Sequence, residues 1–215
     1  MQPPSFIAFT GVDHIDLLPG MKQLAARYPI EWGVLVNPEQ EDRQLFPNSA
    51  TRTVLLAEPG LRWAAHICGA SARDIVAAPR ETPVAVSGVQ RVQINHSFKG
   101  STLDQITAAR DYGRRFGVRT VLQCAGPFPD EAGVDWLYDV SFGTGLKPKD
   151  WPALPTNGSF CGYSGGIGPK TVTEVLERIA APANALYWID MESGVRSDGV
   201  FDLTLCEAVC RAVYG

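Results

Sequence analysis

The chain has 215 residues, 45% of them hydrophobic and 20% charged, a mix that builds an ordinary globular protein. A net charge of -4 gives no electrostatic footprint for nucleic acid or an anionic membrane, and no apolar run approaches the roughly 20 residues of a membrane span. Five scattered cysteines do not form a disulfide framework, and the opening Met1-Gln2-Pro3-Pro4-Ser5 lacks a signal-peptide pattern, so a reduced, cytoplasmic protein is expected.

Short β-rich runs recur in chain order: Phe6–Thr10, Glu31–Val36, Arg62–Ile67, Val89–Asn95, Arg119–Cys124, Trp136–Ser141, Phe160–Ser164 and Leu186–Met191. Several are nearly continuous in apolar residues, as parallel strands buried on both faces require. Helical patterns lie between many of them. One opens at Ser101-Thr102-Leu103-Asp104 and runs through Arg114. Another, Thr171–Ala180, puts Val172, Val175, Leu176 and Ile179 on one face, and a third, Phe201–Val213, closes the sequence. The connection Ala125–Asp135 holds two prolines and two glycines, too many for a full helix. Eight strands with crossovers predict an α/β fold of one domain over residues 1–215: a short (β/α)8 TIM barrel, irregular between strands five and six.

The last third carries the clearest functional signal. Asp139-Val140-Ser141-Phe142-Gly143-Thr144-Gly145, Ser164-Gly165-Gly166-Ile167-Gly168-Pro169 and Asp190-Met191-Glu192-Ser193-Gly194-Val195 each end an apolar run in a loop of small residues. Such loops at one end of a barrel present backbone N–H groups to an anion, and ligands sit at that C-terminal end. Gly143, Gly145, Gly165, Gly166, Ser193 and Gly194 are therefore predicted to bind phosphate.

These three motifs, in this order and spacing, resemble the C-terminal half of the phosphoribosylanthranilate isomerase family, barrel enzymes of tryptophan biosynthesis. The resemblance implies that Asp139, at the end of strand six, is the general acid, acting on the ring oxygen of a ribosylamine. It implies substrate contacts from Arg43, after strand two, and from Gln93 and Asn95 in Val92-Gln93-Ile94-Asn95 on strand four. Thr10, in Ala8-Phe9-Thr10-Gly11, stands where the family carries the cysteine that serves as general base. A threonine hydroxyl is too weak an acid to supply a base near neutral pH.

The remaining titratable groups are weighed as its substitute. Burial among Trp136, Tyr138 and Phe142 is the expected means of tuning Asp139. His14, His66, Cys68 and His96 all fall at or near strand ends. His66 is the favoured base, because an imidazole accepts a proton near neutral pH without special burial. The leading expectation is an isomerase without cofactor or metal, converting an aldose to a ketose, with a phosphorylated sugar as its small-molecule partner. Two alternatives stand beside it. One is a lyase or epimerase using the histidine rim, with a conceivable metal at His66, His96 and Asp139. The other is a non-catalytic barrel that binds a phosphometabolite.

Overall fold

The computed structural model describes residues 2–77, 87–97, 100–141, 144, 146–156 and 158–215. Eight parallel strands run in sequence order around a closed barrel: β1 (Phe6–Thr10), β2 (Ile30–Val36), β3 (Trp63–Ile67), β4 (Arg91–Ile94), β5 (Arg119–Cys124), β6 (Asp135–Tyr138), β7 (Cys161–Tyr163) and β8 (Tyr187–Met191). Pairing of β8 with β1 closes the ring, Ala8 standing opposite Asp190. The first four crossovers carry α1 (Leu18–Ala25), α2 (Ser49–Leu56), α3 (Gly69–Val76) and α4 (Leu103–Phe116). Helix α5 (Val172–Ile179) joins β7 to β8, and α6 (Leu203–Tyr214) follows a small hairpin of β9 (Arg196–Ser197) and β10 (Val200–Phe201). Among the described residues, no helix is long and apolar enough to cross a membrane.

Local chemistry sets the helix ends. Thr102 and Gln105 form a reciprocal capping box at the start of α4, and Gly117, at φ 66°, ends it in the left-handed conformation. Asp202 caps α6 by accepting from the Thr204 and Leu205 amides. The apolar stripe expected on α5 is buried against the barrel.

The β5–β6 connection has no helix, as its prolines and glycines dictate. Among the described residues the β6–β7 connection also has none, which its Pro148, Pro152 and Pro155 explain. Aromatic side chains cover the exposed outer wall there instead. Tyr138 and Tyr163 pack edge-on against Trp151 at 5.9 and 5.8 Å, and Phe128 meets Tyr163 at 5.3 Å. Their hydroxyls donate to Asp150 O (3.0 Å) and Pro152 O (2.7 Å), so the loop is tied down at both polar tips.

Alternation along the strands fills the interior in layers. At the N-terminal end the buried Glu31 carboxylate takes Arg91 and Arg62, and Arg119 bonds Asp135. Above this ionic layer Phe6, Ala8, Val121, Leu137 and Trp188 form an apolar plug. Gly162 makes the plug possible: a Cβ there would overlap the Trp188 indole. Trp63 and Trp136 are buried on the opposite, helix-facing side of their strands.

Candidate active site

Above the plug, at the C-terminal mouth, the interior turns polar. Thr10, His66, Gln93, Gln123, Asp139, Ser164 and Asp190 line a cavity of about 590 Å³. Leu35, Leu45, Phe46, Ile167 and Met191 add apolar wall, and Asn95, Ser141, Glu192 and Ser193 reach it from the loops.

One hydrogen-bonded group spans β1, β3, β7 and β8. The Thr10 hydroxyl donates to Asp190 Oδ1 at 2.7 Å, and its oxygen lies 3.3 Å from His66 Nε2. With the hydroxyl proton committed to Asp190, the oxygen accepts from His66, which places the imidazole proton on Nε2. Ser164 Oγ lies 3.4 Å from Asp190 Oδ2. Gly33 opens the space for this contact, because a Cβ there would fall 2.7 Å from Thr10 Oγ1 and 3.0 Å from His66 Nε2.

Asp139 anchors the other side of the mouth. Its Oδ1 accepts the Ser141 amide and hydroxyl, each at 2.7 Å, and its Oδ2 accepts the Gln123 amide at 3.2 Å. Trp136 and Tyr138 belong to the outward-facing core, because residues of odd and even number on β6 point to opposite faces; polar groups thus surround Asp139 in place of the expected aromatic ones. Phe142 lies outside the described residues.

Burial drives the titration of this layer. Desolvation, with Arg91 adding to it, lowers His66 to about 3, so the ring is neutral at neutral pH. Desolvation raises Asp190 to about 7; the charges of Asp139 and Glu192 push the same way, while the Thr10 bond opposes them. Glu192 is raised by burial, and Cys68 is pushed up to about 11 by burial despite its bond from Asn95. Cys68 therefore carries no thiolate near neutral pH.

Of the loops expected to hold phosphate, those after β7 and β8 meet at the same mouth. Gly165 (φ +108°) and Gly166 (φ +63°) line the cavity beside Ser193, and a Cβ on Gly166 would lie 2.7 Å from Lys147 Cβ. Gly194 presses on the loop after β7, where a Cβ would overlap the Ile167 carbonyl oxygen, and is not on the cavity wall. The Thr171 hydroxyl shapes that loop by donating to Gly166 O at 2.8 Å and accepting the Gly168 amide at 3.0 Å. Gly143 and Gly145 lie outside the described residues.

The structure thus brings together Thr10, His66, Gln93, Asn95, Asp139, Gly165, Gly166 and Ser193. Arg43 is exposed and bonds Gln40 instead, away from the cavity wall. His14 is exposed and caps a short turn, whereas the half-buried His96 reaches the cavity with its ring on Ser101 at 2.9 Å. His66 and His96 bond different partners, and among the described residues no three metal-ligating side chains converge. The sequence alone does not mark Asp190, Gln123 or Ser164 as site residues. The signal for Asp190 was its polarity inside the apolar run Tyr187–Met191.

No protein-family model matches the sequence, and no curated protein sequence matches it. Among solved structures, the N-(5'-phosphoribosyl)anthranilate isomerase of Pyrococcus furiosus superposes with a TM-score of 0.61 at 16% identity, covering 97% of this chain and 98% of the other. The phosphoribosyl anthranilate isomerase of Thermococcus kodakaraensis gives 0.60 at 18% identity, over 98% and 99%. The orotidine 5'-monophosphate decarboxylase of Methanocaldococcus jannaschii, complexed with the inhibitor BMP, gives 0.53 at 10% identity over the full length of both chains. At these identities the likeness establishes the fold: the chain is similar in architecture to the phosphoribosylanthranilate isomerases along nearly its whole length.

Proposed function

We propose that the protein is an isomerase that converts a phosphorylated glycosylamine to the corresponding 1-amino-ketose. The observation that carries this reading is the pair of buried carboxyl groups, Asp139 and Asp190, facing one cavity from β6 and β8. Such an isomerisation needs one group to protonate the ring oxygen as the C1–O bond breaks, and another to take the proton from C2 of the resulting iminium. Two carboxyl groups in different surroundings supply both functions near neutral pH. The backbone at Gly165, Gly166 and Ser193 would receive the phosphate, a use supported by the positive-φ glycines that turn the loop.

His66 in this scheme does not act as the base. Its lowered affinity for protons suits a neutral donor that fixes the Thr10 hydroxyl, and Thr10 in turn presents its proton to Asp190. Gln93, Gln123 and Asn95 supply donors and acceptors for sugar hydroxyls. The similarity of fold to enzymes named for a phosphoribosyl substrate supports a phosphorylated pentose skeleton.

The test is a panel of 5-phosphorylated pentosylamines with aryl, alkyl and unsubstituted nitrogens, followed by chromatography and mass spectrometry of the products. The expected result is an amino-ketose phosphate formed at a rate proportional to protein concentration. Product formation on none of them above the buffer rate overturns the reading.

A further inference from the structure

We infer that Asp190 is the proton donor of this site and Asp139 the proton acceptor, the reverse of the role that family resemblance implies for Asp139. The inference rests on the acid–base reading just given and adds the direction in which the protons move.

The two carboxyl groups sit in opposite surroundings. Asp190 is 6% exposed, and its short hydrogen bond is a single hydroxyl, that of Thr10. The charged groups around it are Asp139 from β6, Glu192 from the loop after β8, and Arg91 from β4. Arg91 is already engaged by Glu31, at 2.6 Å, and the two carboxylates repel a third negative charge. His66, across Thr10 on β3, is neutral and offers no compensating charge. These surroundings favour the protonated acid, and the raised titration of Asp190 agrees with them. Asp139, by contrast, has donors at both oxygens: the Ser141 amide and hydroxyl on one, the Gln123 amide on the other. Donors directed at both oxygens stabilise the ionised form of a carboxyl group.

The reaction balances in this direction. Asp190 gives its proton to the ring oxygen as the C1–O bond breaks and C1 becomes an iminium carbon. Asp139 removes the C2 proton, and the C–H electron pair forms the C1–C2 double bond of an enolamine. Asp139 then returns its proton to C1 while the C2 hydroxyl gives its proton to Asp190. The product is the amino-ketose, and both carboxyl groups regain their starting states.

Two readouts on the purified protein test the inference, the first of them separately from the function. The first is the infrared carbonyl band of a protonated carboxylic acid, followed by pH titration without substrate. The band should bleach with a midpoint near 7, be absent in Asp190→Asn, and persist in Asp139→Asn with a lower midpoint because a neighbouring negative charge has gone. Thr10→Val removes the hydroxyl that favours the ionised form, so the midpoint should move to higher pH. The second readout is kcat, which should fall as pH rises through that midpoint, with the falling limb displaced to higher pH in Thr10→Val. Absence of the band in the folded protein, or a kcat that rises through the midpoint, overturns the assignment. A titrating band that behaves as described without turnover of any phosphorylated pentosylamine upholds the proton assignment and counts against the isomerase reading.

Discussion

At the scale of single residues, the site depends on where side chains are missing as much as on where they are present. Gly33 is the clearest case, since any side chain there would drive Thr10 away from His66. Asp190 has a further consequence for stability. Its carboxyl titrates near 3.8 in an unfolded chain and near 7 in the folded one, so the folded state holds this proton more tightly. The associated stabilisation is complete below about pH 4 and is lost as pH rises through 7. The difference in unfolding free energy between wild type and Asp190→Asn, measured by denaturant titration from pH 4 to pH 8, should therefore decline steadily with rising pH. His66 has the opposite sign: its depressed value contributes stability above pH 6.5 that is lost as pH falls toward 3. A pH-independent difference would show that Asp190 does not carry the proton. Asp190 escaped the sequence reading because one polar residue within an apolar strand does not announce which face it occupies. The resemblance implies a substrate contact from Arg43, yet the loop directs it to Gln40 and solvent.

At the scale of elements, the strands were legible because parallel strands buried on both faces are nearly continuous apolar runs, and all eight are recovered to within a few residues. The helix α4 announced itself through Ser101-Thr102-Leu103-Asp104, and α5 through its apolar stripe. What sequence could not show is contact across the barrel. Gly162 lies inside the strand predicted over Phe160–Ser164 with nothing in the sequence to mark its partner, yet it is the slot into which Trp188 fits. Gly162→Ala should cost roughly 1–3 kcal/mol through overpacking, measured as a lower denaturation midpoint with an unchanged m-value. Pairing it with Trp188→Leu, which vacates the volume, should recover part of that loss. Additive losses in the double variant would show that the two side chains do not compete for one space. The absence of a helix among the described residues between β6 and β7 is legible in principle from Pro148, Pro152 and Pro155; the aromatic cluster that stands there is not, because it joins rings from two connections and two strands.

At the scale of the whole molecule, the layers divide the labour. An ionic base around Glu31 and Asp135 closes the N-terminal end, an apolar plug around Trp188 separates it from the mouth, and the polar layer above the plug faces the cavity. The plug keeps water from reaching Asp190 from below, which raises its titration. Barrels of this kind host many activities, so the proposed reaction is argued from the two carboxyl groups rather than from the barrel. The most direct test of that claim is turnover of a 5-phosphorylated pentosylamine in deuterated water, with the product examined by proton NMR and the wild type compared with Asp139→Asn. Exchange of the transferred proton with solvent should place deuterium at C1 of the amino-ketose. Loss of the carboxylate should slow its formation by about 100-fold or more in a variant that remains folded. Equal rates of product formation in the two proteins, or no product from the wild type, would contradict the account.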